Sequence, residues 1–261
     1  MCCLNWAPRK LPAGEISAMA AALCQGVTDG LTEAGLPFTG AHPYSTPRRL
    51  AVWVENVAIK GPDREHQVVG PPVSAAKDDS GAWTKAAEGF ARKQDVSTDD
   101  LIVVEEQGVV RVAAHLSIKG AQAAEVIPDI IASAVAGIPM SKRMRWGRSR
   151  DEFLRPVQWL VLILGDAVLP LQLFGLESGR ESRGHRFHHN APVAISSPVA
   201  YRDALREARV LVDKDERRAL IAEQVLGLAN EGEAVALSDD LLDEVTGLVE
   251  WPKALRGSFD P

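Results

Sequence analysis

With 261 residues, 46% hydrophobic and 25% charged, the chain has apolar mass for one large or two modest globular domains. A net charge of −6 excludes a uniformly basic nucleic-acid binder. The longest strongly apolar run, Val157–Leu164, is far shorter than the roughly 20 residues that span a bilayer, so no membrane partner is expected. The first residues lack the apolar core of a signal peptide, and Cys2, Cys3 and Cys24 have neither metal-ligand nor disulfide spacing. These features predict a soluble chain of the reducing cytoplasm.

In chain order, Ile16, Met19, Leu23, Val27, Leu31 and Ala34 recur every three or four residues. They predict an amphipathic helix over Glu15–Ala34, stopped by Gly35 and Pro37. Leu50–Ile59 is valine-rich and reads as a strand. Residues 61–81, with Pro62, Pro71 and Pro72, read mostly as loop. Lys85–Lys93 is a short helix, and Leu101–Glu105 with Val109–Ile118 a hairpin. Ala121–Ala136 is helical. Val157–Leu164 and Val168–Phe174 form a second strand pair. Pro198–Ala208 is a helix and Val210–Val212 a short strand. Asp213 caps a helix reaching about Asn230, with Glu216 as its capping-box partner, and Leu241–Val249 is the last helix. Helices and short antiparallel pairs in irregular order predict an α+β fold, with regions 1–138 and 139–261.

Charge is unevenly spread. Lys142 to Arg155 holds six Lys/Arg against Asp151 and Glu152, a local +4 that leaves −10 for the remainder. Ser178–His189 adds three arginines and three of the six histidines. Arg180, Arg183 and Arg186, at steps of three, offer planar forks for phosphate, and Gly179 and Gly184 let backbone approach closely. Lys142, Arg143, Arg145, Arg148, Arg180, Arg183, His185 and Arg186 are therefore the candidate polyanion contacts, although internal pairing with nearby carboxylates is an equal alternative for any one arginine. His185, His188 and His189 admit a second reading, a stand-alone metal-dependent hydrolase. Gly184, Phe187 and Asn190-Ala-Pro argue against the helix that would align them, so no metal and no catalytic residue is assigned. Phosphate-cradling loops, nucleophile elbows and the His-Glu-x-x-His pattern are all missing from the sequence.

Several segments carry a family resemblance. They are Pro139-Met-Ser-Lys-Arg-Met-Arg-Trp-Gly, Phe153-Leu-Arg-Pro-Val-Gln-Trp-Leu-Val, Ser182-Arg-Gly-His-Arg-Phe-His, Asp215-Glu-Arg-Arg and Leu241-Leu-Asp-Glu-Val-Thr-Gly-Leu-Val-Glu-Trp-Pro. Thr46-Pro-Arg-Arg-Leu, Val69-Gly-Pro-Pro and Thr84-Lys-Ala-Ala-Glu-Gly-Phe-Ala-Arg precede them in order. Together they resemble the β subunit of the bacterial heterotetrameric glycyl-tRNA synthetase, from about Leu11 to Asp260. The resemblance implies a glycine–tRNA ligase of α2β2 form whose α subunit holds the active site and uses ATP and Mg, with no cofactor in this chain. Its partners would be that α subunit and tRNA(Gly). It also implies a front region similar to the B3/B4 module of the phenylalanyl enzyme's β subunit, as an N-terminal fragment that is inactive alone.

The sequence departs from the family over Met1 to Lys10. Relatives open with a segment close to Leu-Leu-Val/Phe-Glu-Ile/Leu-Gly-Thr-Glu-Glu-Leu-Pro. Codons permitted for Cys2 to Arg9, read one base earlier with a preceding C, give Leu-Leu-Phe-Glu-Leu-Gly-Thr-Glu. A compensated frameshift or sequencing error is therefore expected, and resequencing that finds codons incompatible with the shifted reading would exclude it. Asn5, Pro8 and two cations are expected to pair poorly in a sheet, leaving the neighbouring strand with an open edge and the fragment less stable than its relatives.

Overall fold

A computed structural model describes residues 11–78, 80–106, 108–146, 151–230 and 233–258, with the backbone of residues 2–6. The chain starts with β1 (Cys2–Trp6), α1 (Ala13–Glu33), β2 (Gly40–Thr46), β3 (Arg49–Glu55), β4 (Arg64–Pro72) and α2 (Val73–Ala76). It continues through α3 (Lys85–Lys93), β5 (Leu101–Glu106), β6 (Val109–Ile118), α4 (Ala123–Ala136), β7 (Met144–Arg145), β8 (Glu152–Phe153) and β9 (Val157–Leu164). The rest comprises β10 (Ala167–Val168), β11 (Gln172–Leu173), β12 (Leu176–Gly179), β13 (Glu181–Arg183), β14 (Pro192–Ala194), α5 (Tyr201–Glu207), α6 (Lys214–Leu226) and α7 (Asp239–Thr246). This is an α+β fold in two compact units, Met1–Ile59 with Gln122–Pro261, and Lys60–Ala121. The expected boundary at 138/139 falls inside the first unit, because β1 pairs with β9 across it.

The first unit is built on a sheet of order β11-β12-β9-β1-β3-β2, with β10 also on β9. All pairs are antiparallel except β12 with β9. Alternate residues of its central strands serve two cores. Leu50, Val52, Leu160 and Leu162 meet α1 and α4, while Ala51, Val161 and Ile163 meet Tyr201, Leu205 and Val210 on the opposite face. Burial on both faces explains why Val157–Leu164 is almost continuously apolar instead of alternating. Against α4, a Cβ at Gly30 would press into the Ile130 side chain, so glycine permits the close helix crossing.

The segment around Asn5 departs from expectation. β1 pairs on both sides, Cys2 with Val52 and with Leu162, Asn5 with Arg49 and with Trp159, and the register shifts at Trp6. The edges of β3 and β9 that face β1 are therefore covered along these residues, since a ladder is made by backbone groups that Asn supplies as well as Leu. Pro8 and the rest of residues 7–10 lie outside the described residues.

The second unit is an antiparallel sheet of order β4-β6-β5, one face covered by α2 and α3 through Ala76, Ala87, Ala91, Leu101, Val112 and Ala114. The expected loop over 61–81 is largely the nine-residue strand β4, paired from Arg64↔Ile118 to Val69↔Ala113. It is an edge strand with exposed polar residues at its start, which hides the alternation, and its prolines follow the regular ladder, where an edge tolerates them.

Smaller corrections have local causes. Val210–Val212 forms no strand: single bonds from Ser45 N to Val212 O and Leu211 N to Glu250 O replace a ladder. β10 pairs with β9, but the rest of the expected 168–174 strand turns away to pair with β12 as β11. Helix α6 stops at Leu226, before Asn230. α7 starts at Asp239, because the Ser238 hydroxyl accepts from Leu241 N. Asp213 does cap α6, accepting from Asp215 N and Glu216 N, but the Glu216 carboxylate goes to Arg202 and Arg206 rather than back to the cap. Among the described residues no helix is long and apolar enough to cross a membrane.

Candidate functional site

Segments far apart in sequence converge at the β2–β3 turn. Arg49, 2% exposed, turns inward, donating from Nη1 to Glu250 Oε1 at 2.6 Å and from Nη2 to the Arg183 carbonyl at 2.8 Å. Thr46 Oγ1 donates to the same Glu250 oxygen at 2.7 Å. Glu250, itself buried, thereby ties the turn to the stretch after α7. Beneath it, fully buried Arg217 donates to the carbonyls of Leu211, Asp213 and Thr246. Burial pushes its guanidinium down to about 10, opposed by the Glu250 carboxylate, so it stays charged at neutral pH.

On this base sits a tight turn after β13. A Cβ at Gly184 would run into the His189 carbonyl and ring, so only glycine fits there. His185 N donates to Ala208 O, and His185 Nδ1 accepts from the amides of Phe187 and His188, each at 3.2 Å. With Nδ1 accepting, the neutral ring carries its proton on Nε2. The ring stacks on His188 at 4.5 Å between centroids. Phe187 is thereby held outward, 81% exposed, with the Arg186 guanidinium 5.5 Å from its ring centroid.

Burial lowers the His185 pKa, partly offset by the Glu250 carboxylate and reinforced by His188, Arg48 and Arg49. A depressed folded value means that the turn's stability is fully present above the unfolded imidazole value, about 6.5, and is lost as pH falls through the lowered value. Exchange of the Phe187 and His188 amides, corrected for its intrinsic pH dependence, is expected to accelerate on acidification. Equal protection on both sides of that window would show that Nδ1 does not hold these amides.

Between the turn and the Glu250 segment lies a cavity of about 200 Å³ whose walls include Arg48, His185, Arg186, Phe187, Glu250 and Trp251. Beside it Arg209, a non-glycine residue at φ 61°, stacks its guanidinium 5.0 Å from the Trp251 ring centroid.

The expected contact residues divide. His185 and Arg186 line the cavity. Arg183 is exposed, 5.7 Å over the Trp159 ring, and its carbonyl is part of the Arg49 anchor. Arg180 is committed as a brace, donating to the carbonyls of Asp166 (2.8 Å), Ser196 (3.1 Å) and Ile195 (3.4 Å). Arg143 reaches the carbonyls of Ala136 and Ile138, and Arg145 pairs with Glu152 at 2.6 Å across β7–β8. Lys142 is exposed, and Arg148 lies outside the described residues. His185, His188 and His189 form no ligand set: among the described residues no three His, Cys, Asp or Glu side chains could hold a metal. The hydrolase reading loses its basis. Arg48, Phe187, Arg209 and Trp251 were not among the expected contacts, although Thr46-Pro-Arg-Arg and Glu-Trp-Pro stood among the quoted motifs.

The family profile described as "Glycyl-tRNA synthetase beta subunit" matches residues 8–261. The chain belongs to this glycyl-tRNA synthetase β-subunit family. It is 48% identical over 252 residues to the glycine–tRNA ligase β subunit of Chromohalobacter salexigens, 45% to that of Pseudomonas aeruginosa LESB58 and 44% to that of Stutzerimonas stutzeri A1501. Each alignment covers 96% of this chain and 36% of the relative, so the chain spans about a third of the length of these β subunits. The profile starts at residue 8, leaving most of the divergent opening outside the match.

Proposed function

We propose that the chain is the tRNA-binding and assembly part of a glycine–tRNA ligase β subunit, acting in an α2β2 complex in the cytoplasm whose α subunit binds ATP, Mg and glycine. The observation that carries this reading is the gathering of Arg48, His185 and Arg186 around one cavity, with exposed Arg183 close by in sequence, in a β-subunit family member whose net charge is −6. Guanidinium forks match phosphate oxygens in pairs, and a buried Arg49–Glu250 anchor fixes the loops that display them. Phosphate contacts of this kind set grip and register; they carry no sequence information themselves.

Titration of tRNA(Gly) at several salt concentrations tests the proposal. The double change Arg183→Ala with Arg186→Ala is expected to weaken binding and to reduce the slope of log affinity against log salt by about two, one per phosphate contact. Both side chains are exposed, so the fold should survive, which circular dichroism checks. Unchanged affinity and slope in a folded double variant would overturn the assignment. Copurification of the α subunit tests the assembly half.

A further inference from the structure

We infer that the cavity beside His185 receives one unpaired nucleotide of an RNA strand, with its phosphate against Arg48 and Arg186 and its base stacked on Phe187. The inference rests on the RNA-binding reading above and adds a site to it. Its first support is charge. The walls carry two guanidiniums, Arg48 and Arg186, against one carboxylate, and Glu250 Oε1 already accepts from Arg49 and Thr46. An anion entering here meets net positive charge at the mouth and further positive charge below.

Size is the second. About 200 Å³ is less than the roughly 300–1,000 Å³ that encloses a drug-sized molecule, so the cavity takes a phosphate or a similar fragment and leaves the base outside. The third is Phe187. Its ring is 81% exposed, and Nδ1 of His185 fixes the backbone on which it stands. A ring held outward beside a guanidinium is a stacking platform already ordered before the base arrives. The base must be unpaired, because bases within an A-form duplex already stack on their neighbours and its major groove is closed to side chains.

The test uses the full chain with fluorescently labelled oligoadenylate, a blunt-ended RNA duplex and tRNA(Gly). Phe187→Ala is expected to lower oligoadenylate affinity about 5- to 150-fold, the range set by stacking one base, with an unchanged salt slope. Phe187→Trp should restore binding and Phe187→Leu should not, since leucine is apolar but has no π face. Duplex affinity should be the same in all four proteins. Oligoadenylate binding that survives Phe187→Ala, full rescue by leucine, or an equal loss on the duplex would each overturn the nucleotide site. If the unaltered chain binds tRNA(Gly) but not oligoadenylate, the site falls and the tRNA reading stands. If it binds no RNA, both fall.

Discussion

Glu250→Ala is expected to destabilise the first unit by about 3–5 kcal/mol, the usual cost of leaving one member of a buried ion pair without its partner. Glu250 is 5% exposed and Arg49 2%, so water cannot replace the lost carboxylate. Thr46 also loses its acceptor, while Arg49 keeps the Arg183 carbonyl. Against a total of about 5–15 kcal/mol for a domain, such a loss shifts much of the population to the unfolded state. Glu250→Gln, which keeps an oxygen for Thr46 and Arg49, should lose less. The double change Arg49→Met with Glu250→Leu should recover most of the loss, because it removes the stranded charge along with the pair. Urea unfolding midpoints decide the matter. A Glu250→Ala midpoint within the range of surface substitutions, about 0.5 kcal/mol, would mean that the pair does not hold the β2–β3 turn.

That pair also marks the limit of what the sequence could reveal. α1 and α3 were legible because their apolar or helix-forming residues repeat with helical spacing, and the β5–β6 hairpin because two β-rich runs flank a glycine turn. β4 was not, since an edge strand with polar residues on both faces carries no period. The cationic character of 183–186 could be read directly. Its partners could not: Glu250 lies 204 positions from Thr46 and 201 from Arg49, and no local pattern announces that a carboxylate beyond α7 will sit under a turn between two early strands. Charge density likewise could not show that in the 142–155 stretch Arg143 reaches a helix end and Arg145 pairs with Glu152. A dense run of cations signals solvent exposure or anion binding equally well, whereas Arg48 and Trp251 acquire their meaning only when folding places them on one cavity.

The second large effect is functional: the chain alone should support no glycine-dependent exchange of pyrophosphate into ATP. A triphosphate needs cationic side chains, backbone amides in a glycine-rich loop, or both. Of three cavities of the first unit wider than the one beside His185, that of about 410 Å³ has its Arg256 paired with Glu233, and the other two provide no cationic side chain. One, of about 560 Å³, is walled by residues such as Val27, Val52, Ile131 and Leu162, with Glu55 and Asp166 as its charged groups. The other, of about 540 Å³ between α1 and α4, carries Asp29, Glu33 and Asp129. Carboxylates repel the phosphate tail that would have to enter, and the cationic cavity beside His185 is too small to enclose a nucleoside triphosphate. Exchange by the purified chain is therefore expected at background, and to appear on adding the catalytic subunit that the proposal places elsewhere. Activity that coelutes with the isolated chain after contaminating synthetase has been removed would sink this division of labour. It would show that adenylate chemistry resides where neither carboxylate-lined cavity carries a cation to meet the phosphates.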